Sequence, residues 1–187
     1  MTGIGTGAGG RAPATGPDRL RLAPGADEQA LRHLTIAYAT AVDELDGDEL
    51  AELFVPDGEL VVPNFPEDLR PVVTRTGHDA IRKVPEGLRR YARTFHQVSD
   101  HRFAIAGGAA TGAVRCVAHH LLAEDPTAAA TGGGGPGTDV VWFIRYADEY
   151  RLTGSGWKFL RRVLHLLWVE EHSVTVRALP ATGRGQR

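Results

Sequence analysis

The chain has 187 residues, a hydrophobic content of 42% and a formal charge of -2. That length suits one domain with a substantial core, and the near-neutral balance excludes the concentrated basic face that nucleic acid or an anionic membrane surface requires. Cys116 is the only cysteine, which excludes an internal disulfide and a cysteine-cluster zinc site; among Val114 and Ala118 it reads as a buried thiol.

Residues 1–24 are rich in Gly, Ala, Pro and Thr and read as a disordered tail. They lack the apolar run of a signal peptide, and no stretch of the chain approaches the ~18 apolar residues of a membrane span. A cytoplasmic protein is expected. A folded domain over 25–172 follows, then a C-terminal tail over 173–187. Asp27 is placed to cap the first helix, where Leu31, Leu34, Tyr38, Ala41, Val42 and Leu45 form an apolar stripe. Gly47 interrupts it, a short helix covers Asp48–Phe54, and Pro56-Asp57-Gly58 makes a turn. Short strands are predicted over 59–62 and 72–75. Gly77-His78-Asp79 opens a third helical stretch that Pro85 splits.

From there the pattern alternates with period two. Strands are predicted over 98–105, 111–122, 140–151 and 157–169, with Ala106-Gly-Gly-Ala109 and Thr153-Gly-Ser-Gly156 as hairpin turns. The connection 123–139 is longer than a usual hairpin loop and is expected to be mobile. Its run Gly132–Gly135 has no helix after it, which removes a phosphate-loop reading. Helices followed by long antiparallel strands give an α+β domain, a curved sheet wrapped around the helices. The last strand reads as apolar on both faces: Leu160, Leu164, Leu166 and Trp168 on one, Trp157, Phe159, Val163 and Leu167 on the other. A second subunit against the outer face is therefore expected, as a homodimer or homotrimer.

The chemistry-bearing residues are Asp43, at the end of the first helix, and His96, at the head of a strand. A carboxylate that orients an imidazole is the least apparatus needed for proton transfer without a cofactor. On an ideal helix Asp43 lies roughly 140° from Tyr38, on the side of Arg32 and Ile36, which suits a solvated carboxylate. Yet an acid at a helix C-terminus opposes the macrodipole and asks for a reason. His119 and His120 must point to opposite faces of their strand. His120 shares the inner face with Cys116 and Ala118, as a core histidine or a pocket one. Trp142 and Tyr146 lie on one strand face with Asp148, and Tyr146 is a core aromatic or a ligand hydroxyl. Arg162, on an apolar face, needs an anion, either Asp148 or a substrate. Asp43, His96 and His120 make a formal two-histidine, one-carboxylate set, but no HxH or HxxE spacing supports it. No metal and no cofactor are expected. A serine hydrolase has no support, since no GxSxG occurs.

The order of short motifs resembles the SnoaL-like branch of the nuclear transport factor 2-like superfamily. These are Leu34-xxx-Tyr38-xxx-Val42-Asp43-xx-Asp46, Leu53-Phe54-x-Pro56-Asp57, Gly77-x-Asp79-Ala80-Ile81, His96-xxx-Asp100, Ala110-Thr-xx-Val114 to His120, Tyr146-x-Asp148 and Gly156-Trp157-Lys-Phe159. The resemblance covers about residues 27–170 and implies a cone with a largely apolar pocket. The scytalone dehydratase and lindane dehydrochlorinase types are most similar at the key positions. By that resemblance Asp43 and His96 form the catalytic pair, His120 is a second pocket histidine, and Arg162 takes the place of a last-strand arginine. The tyrosines that polarise a carbonyl in the dehydratase type fall on Val42 and Val62 here, and an asparagine four residues after the histidine is Asp100.

The expected function is cofactor-free acid–base catalysis (elimination, isomerisation or cyclisation) on a small apolar oxygenated molecule, in bacterial secondary metabolism by family analogy. Asp43 and His96 are the catalytic candidates; Tyr38, His120, Trp142, Tyr146 and Arg162 are the candidates for substrate binding. The alternative is a non-catalytic ligand-binding or assembly module of the same fold. An epoxide-opening hydrolase, which would hold a water between carboxylates, is a weaker third.

Overall fold

The computed structural model describes residues 25–124 and 135–176. The predicted N-terminal tail, most of the glycine-rich connection and most of the C-terminal tail lie outside those residues. Helix α1 (Ala26–Asp43) is followed by α2 (Gly47–Glu52), β1 (Phe54–Asn64), β2 (Asp68–Thr76), α3 (His78–Ile81) and a 3-10 turn over Val84–Leu88. Four long strands complete the domain: β3 (Arg93–Ala106), β4 (Ala109–Ala123), β5 (Gly135–Thr153) and β6 (Gly156–Val176). The fold is α+β, with one six-stranded sheet in the order β2-β1-β6-β5-β4-β3. Among the described residues only the β1–β6 pair is parallel, Leu60 facing Arg162.

The helices cover the inner face of the sheet. Leu31, Leu34, Tyr38, Ala41 and Val42 of α1 pack with Phe54, Ile144, Tyr146 and Phe159 in the core. A second stripe at i, i+4, i+8 also faces the sheet: Thr35 and Ala39 are buried and Asp43 is half-buried against β3. That stripe explains why the sequence pattern left Asp43 outside. It is short and partly polar, and only the Leu stripe registers as hydrophobic periodicity. The Thr35 hydroxyl donates to the Arg32 carbonyl and so accepts from His101 Nε2–H, 2.8 Å away, tying the middle of α1 to β3.

Several local expectations change. Asp27 does not cap α1; Gly25 holds that position, and Asp27 accepts the Trp157 indole N–H at 2.8 Å. The short second helix ends at Glu52, because Phe54 already begins β1 opposite Phe159. Asp46 caps α2, accepting the Glu49 backbone N–H at 2.8 Å. At Gly47 an added Cβ would stand 2.0 Å from the Arg82 carbonyl oxygen. Gly47→Ala is therefore expected to lower stability by about 1–3 kcal/mol through that backbone clash, read as a lower urea midpoint at unchanged slope. In the β3–β4 hairpin Gly107 and Gly108 take φ of 58° and 86°, the pair of positive values that a two-residue type I′ turn requires.

Strict alternation fails twice in β6. Its register with β5 shifts between the pairs Phe159–Tyr150 and Arg161–Glu149, and again between Leu166–Ile144 and Trp168–Phe143. Each shift inserts one extra residue, Leu160 and then Leu167. Phe159 and Arg162 consequently share the inner face, and Trp168 moves to the outer face to stack on Phe143 at 4.1 Å. Leu167 and Trp168 are 47% and 48% exposed. A further bulge in β3, with Asp100 at φ 47°, turns His101 inward. Asp100 pairs with Arg115 at 3.2 Å and Arg102 at 3.4 Å on the surface. Among the described residues no helix is long and apolar enough to cross a membrane.

Candidate active site

Asp43 and His96 meet where the C-terminus of α1 reaches β3. One carboxylate oxygen accepts His96 Nδ1–H at 2.6 Å and the Thr94 hydroxyl at 2.8 Å, and the other accepts the His96 backbone N–H at 2.8 Å. A carboxylate only accepts, so in the neutral ring the Nδ1 proton points at Asp43 and the lone pair sits on Nε2. The His96 side chain is 7% exposed and that of Asp43 20%. Burial alone would raise the Asp43 carboxyl. The hydrogen bonds and charge of His96, with the Thr94 hydroxyl, outweigh it and hold the group below the usual carboxylate value.

Beyond His96 the inner face continues into aromatic side chains. His120 stands edge-on to His96, ring centres 5.5 Å apart, and packs on Tyr91 at 4.9 Å and Trp142 at 4.6 Å. Phe65, from the β1–β2 connection, packs on the other side of Trp142 at 4.9 Å. His120 donates Nδ1–H to the Val140 carbonyl at 3.1 Å, so its Nε2 is also an acceptor. Burial, with the nearby His96, lowers its pKa from the ordinary 6.5 to about 4. His120 is thus neutral at pH 7, with its Nδ1–H engaged by the Val140 carbonyl and Nε2 as an acceptor. The Trp142 indole N–H is buried without a hydrogen-bond partner among the described residues.

The depressed His120 value carries a prediction. Between pH 6.5 and 4 the unfolded chain binds a proton at this residue that the fold refuses. Stability therefore falls as pH drops through that window, by up to about 1.4 kcal/mol per pH unit, and this group contributes no change above it. Urea unfolding at pH 7.5, 6 and 5 is expected to show that loss, with a shallower dependence in His120→Gln.

Tyr38, Tyr146 and Arg162 form a separate group deeper in the core. Arg162 is wholly buried and bonds Asp148 with two hydrogen bonds, at 2.9 and 2.8 Å, and Tyr150 donates to the same carboxylate at 2.7 Å. Its guanidinium lies 4.3, 4.1 and 4.2 Å from the ring centres of Tyr38, Tyr146 and Phe159. The anion that Arg162 needed is Asp148. Burial pushes the Tyr38 hydroxyl up to about 12 and raises that of Tyr146 well above its ordinary value, so neither ionises near neutral pH. Cys116, 2% exposed, is likewise pushed up to about 12 by burial, as expected for an inert thiol. Of the seven residues singled out from sequence, Asp43, His96, His120 and Trp142 come together and these three do not join them.

Sequence reasoning missed Thr94, Tyr91 and Phe65. Thr94 and His96 are two residues apart on one strand face, a spacing that could have flagged Thr94; Tyr91 and Phe65 reach the site by tertiary packing alone. Among the described residues no group of three His, Cys, Asp or Glu side chains is placed to hold a metal ion.

The model of the SnoaL-like domain family matches residues 25–163. Among solved structures, the chain is similar to a scytalone dehydratase-like protein of Novosphingobium aromaticivorans, with 24% identity and a TM-score of 0.63 over 86% of this chain and 96% of that one. An aromatic ring hydroxylase-like protein of the same organism shares 22% identity and a TM-score of 0.64, covering 82% and 96%. A hexachlorocyclohexane dehydrochlorinase of Novosphingobium barchaimii shares 16% identity and a TM-score of 0.64, covering 83% and 95%. Identities this low establish a common fold and no more. Comparison with curated proteins finds none similar in sequence. The family match spans both helix α1 with Asp43 and strand β3 with His96, and the chain belongs to the SnoaL-like domain family.

Proposed function

We propose that this protein is a cofactor-free acid–base enzyme of the lyase or isomerase type, acting on a small, mostly apolar oxygenated molecule. The observation that carries the reading is the 2.6 Å bond between Asp43 and His96 Nδ1, which leaves the Nε2 lone pair to act as a base. In an elimination, His96 Nε2 takes a proton from a carbon beside an electron-withdrawing group, and the C–H electrons form the new double bond. The leaving group departs from the neighbouring carbon with its own bonding pair. When that group is a hydroxyl, the imidazolium returns the proton and water leaves. Asp43 stabilises the imidazolium in between, and such a base contributes typically ~10²–10⁴-fold. The unpartnered Trp142 N–H supplies a donor where oxygen charge develops, and His120 Nε2 orients a substrate hydroxyl. The dehydratase-like and dehydrochlorinase names of two structural neighbours fit this reaction class.

Proton abstraction can be tested without the natural substrate. A panel of small cyclic β-hydroxyketones in heavy water, followed by proton NMR, is expected to show enzyme-dependent deuterium uptake at the acidic carbon and slow loss of water. Both disappear in His96→Ala. Exchange that persists in His96→Ala at the wild-type rate would remove His96 as the base, whereas absence of enzyme-dependent exchange in the wild type would favour a binding module of the same fold.

A further inference from the structure

The sheet carries a second Asp–His pair, back to back with the first and on its outer face. His119 precedes His120 in β4, so its side chain leaves the opposite face. Its Nδ1 lies 2.7 Å from an Asp139 carboxylate oxygen on β5. The carboxylate accepts, so the neutral His119 ring presents its lone pair at Nε2. The His119 side chain is 43% exposed and that of Asp139 19%, and the second Asp139 oxygen is buried without a hydrogen-bond partner among the described residues. The pair lines a groove of about 310 Å3 whose apolar walls are Phe95, Leu121, Val174 and Val176, with Arg93 beside them. Phe95 is 60% exposed, the most exposed large apolar side chain among the described residues.

We propose that this groove binds a small phenol, independently of the dyad inside the cone. Its volume is at the low end of ligand cavities, about 300–1,000 Å3, which limits the occupant to one or two rings. Phe95 and the aliphatic walls take the ring. The acidic hydroxyl donates to His119 Nε2, the ring being held in this orientation by the Nδ1–H bond to Asp139. The Arg93 guanidinium offsets negative charge that builds on the phenol oxygen. A carboxylic acid of the same size would bring a second carboxylate against Asp139, and a neutral ring without a hydroxyl would leave Nε2 unused.

The test is titration of the full chain with 4-nitrophenol, followed by its absorbance, which also reports proton loss from the hydroxyl. Saturable binding is expected, unchanged in His96→Ala, weakened at least about tenfold in His119→Leu and also weakened in Phe95→Ala. Two groove variants are used so that a folding defect in one does not decide the outcome, with circular dichroism as the check on both. Nitrobenzene and benzoate should compete poorly. Binding lost in His96→Ala but kept in both groove variants would place the phenol in the inner site and overturn the inference while leaving the catalytic reading intact. Absence of saturable binding would overturn it too, as would benzoate competing as well as the phenol. Binding that vanishes as protein concentration rises would overturn it by showing a second copy covering the groove.

Discussion

Asp43→Asn is expected to lower turnover about 10²–10⁴-fold while leaving the protein folded. The native carboxylate accepts three hydrogen bonds, from the Thr94 hydroxyl, the His96 backbone N–H and His96 Nδ1–H. An asparagine offers one oxygen and one NH2 group, so at least one of these donors meets another donor. The imidazole relieves the conflict by shifting its proton to Nε2, which removes the base from the position facing the substrate. The measurement is the rate of proton exchange or elimination in Asp43→Asn beside His96→Ala, with unfolding curves on the same samples. Replacing a charged acceptor of three bonds with a neutral amide that can keep at most two should also cost stability, roughly 1–3 kcal/mol. If Asp43→Asn kept activity within about twofold of wild type, the carboxylate would have no part in orienting the base, and the proposed mechanism would fail.

Asp148→Asn is expected to be the most destabilising of the conservative changes, by about 3–5 kcal/mol. It leaves the Arg162 guanidinium charged and wholly buried with no anion against it, and it disrupts the bond from Tyr150. The Asp148 and Arg162 charges hold each other in place; burial alone would lower the Arg162 pKa, and Asp148 raises it well above the ordinary value instead. Arg162→Met is expected to cost a similar amount by stranding Asp148. The double variant Asp148→Leu/Arg162→Met should recover most of the loss, because neither charge then remains to be desolvated. Urea unfolding of the wild type, Asp148→Leu, Arg162→Met and the double variant gives the coupling energy directly. The double variant also asks whether Arg162 serves the substrate. Turnover near wild type would confine Arg162 to a structural role, and a large drop in kcat without loss of folding would return it to the reaction.

Asp43 and His96 were legible as a pair chiefly through the order of short motifs that resembles the SnoaL-like branch, because helical periodicity alone sets Asp43 on the solvated side. The long strands were legible because period-two alternation is a local signal. What escaped depends on registers that only pairing decides. The extra residues Leu160 and Leu167 in β6 reverse the facing of their neighbours, and no single-strand pattern distinguishes a bulge from continued alternation. Strict alternation therefore sets Phe159 opposite Arg162 and groups Trp168 with Leu164, and the two extra residues reverse both. Arg162 itself was correctly read as needing an anion, but the choice between Asp148 and a ligand required the β5–β6 register, in which Asp148 directly faces Arg162. Tyr91 and Phe65 escaped because loop residues approach the site through tertiary packing that leaves no periodic trace.

The parallel pairing of β1 with β6 sets a timetable for synthesis. Phe54 meets Phe159 and Leu60 meets Arg162, so a strand made early acquires its second neighbour only once the last one has emerged from the ribosome. Until then β1 has only β2 beside it, and a lone two-stranded hairpin is marginal in water. The apolar stripe of α1 waits just as long for Phe159 and Tyr146. Contacts this distant in sequence slow folding and leave greasy surface open to aggregation meanwhile. A nascent chain halted anywhere before Trp157 would therefore present holdase chaperones with a sticky, incomplete cone.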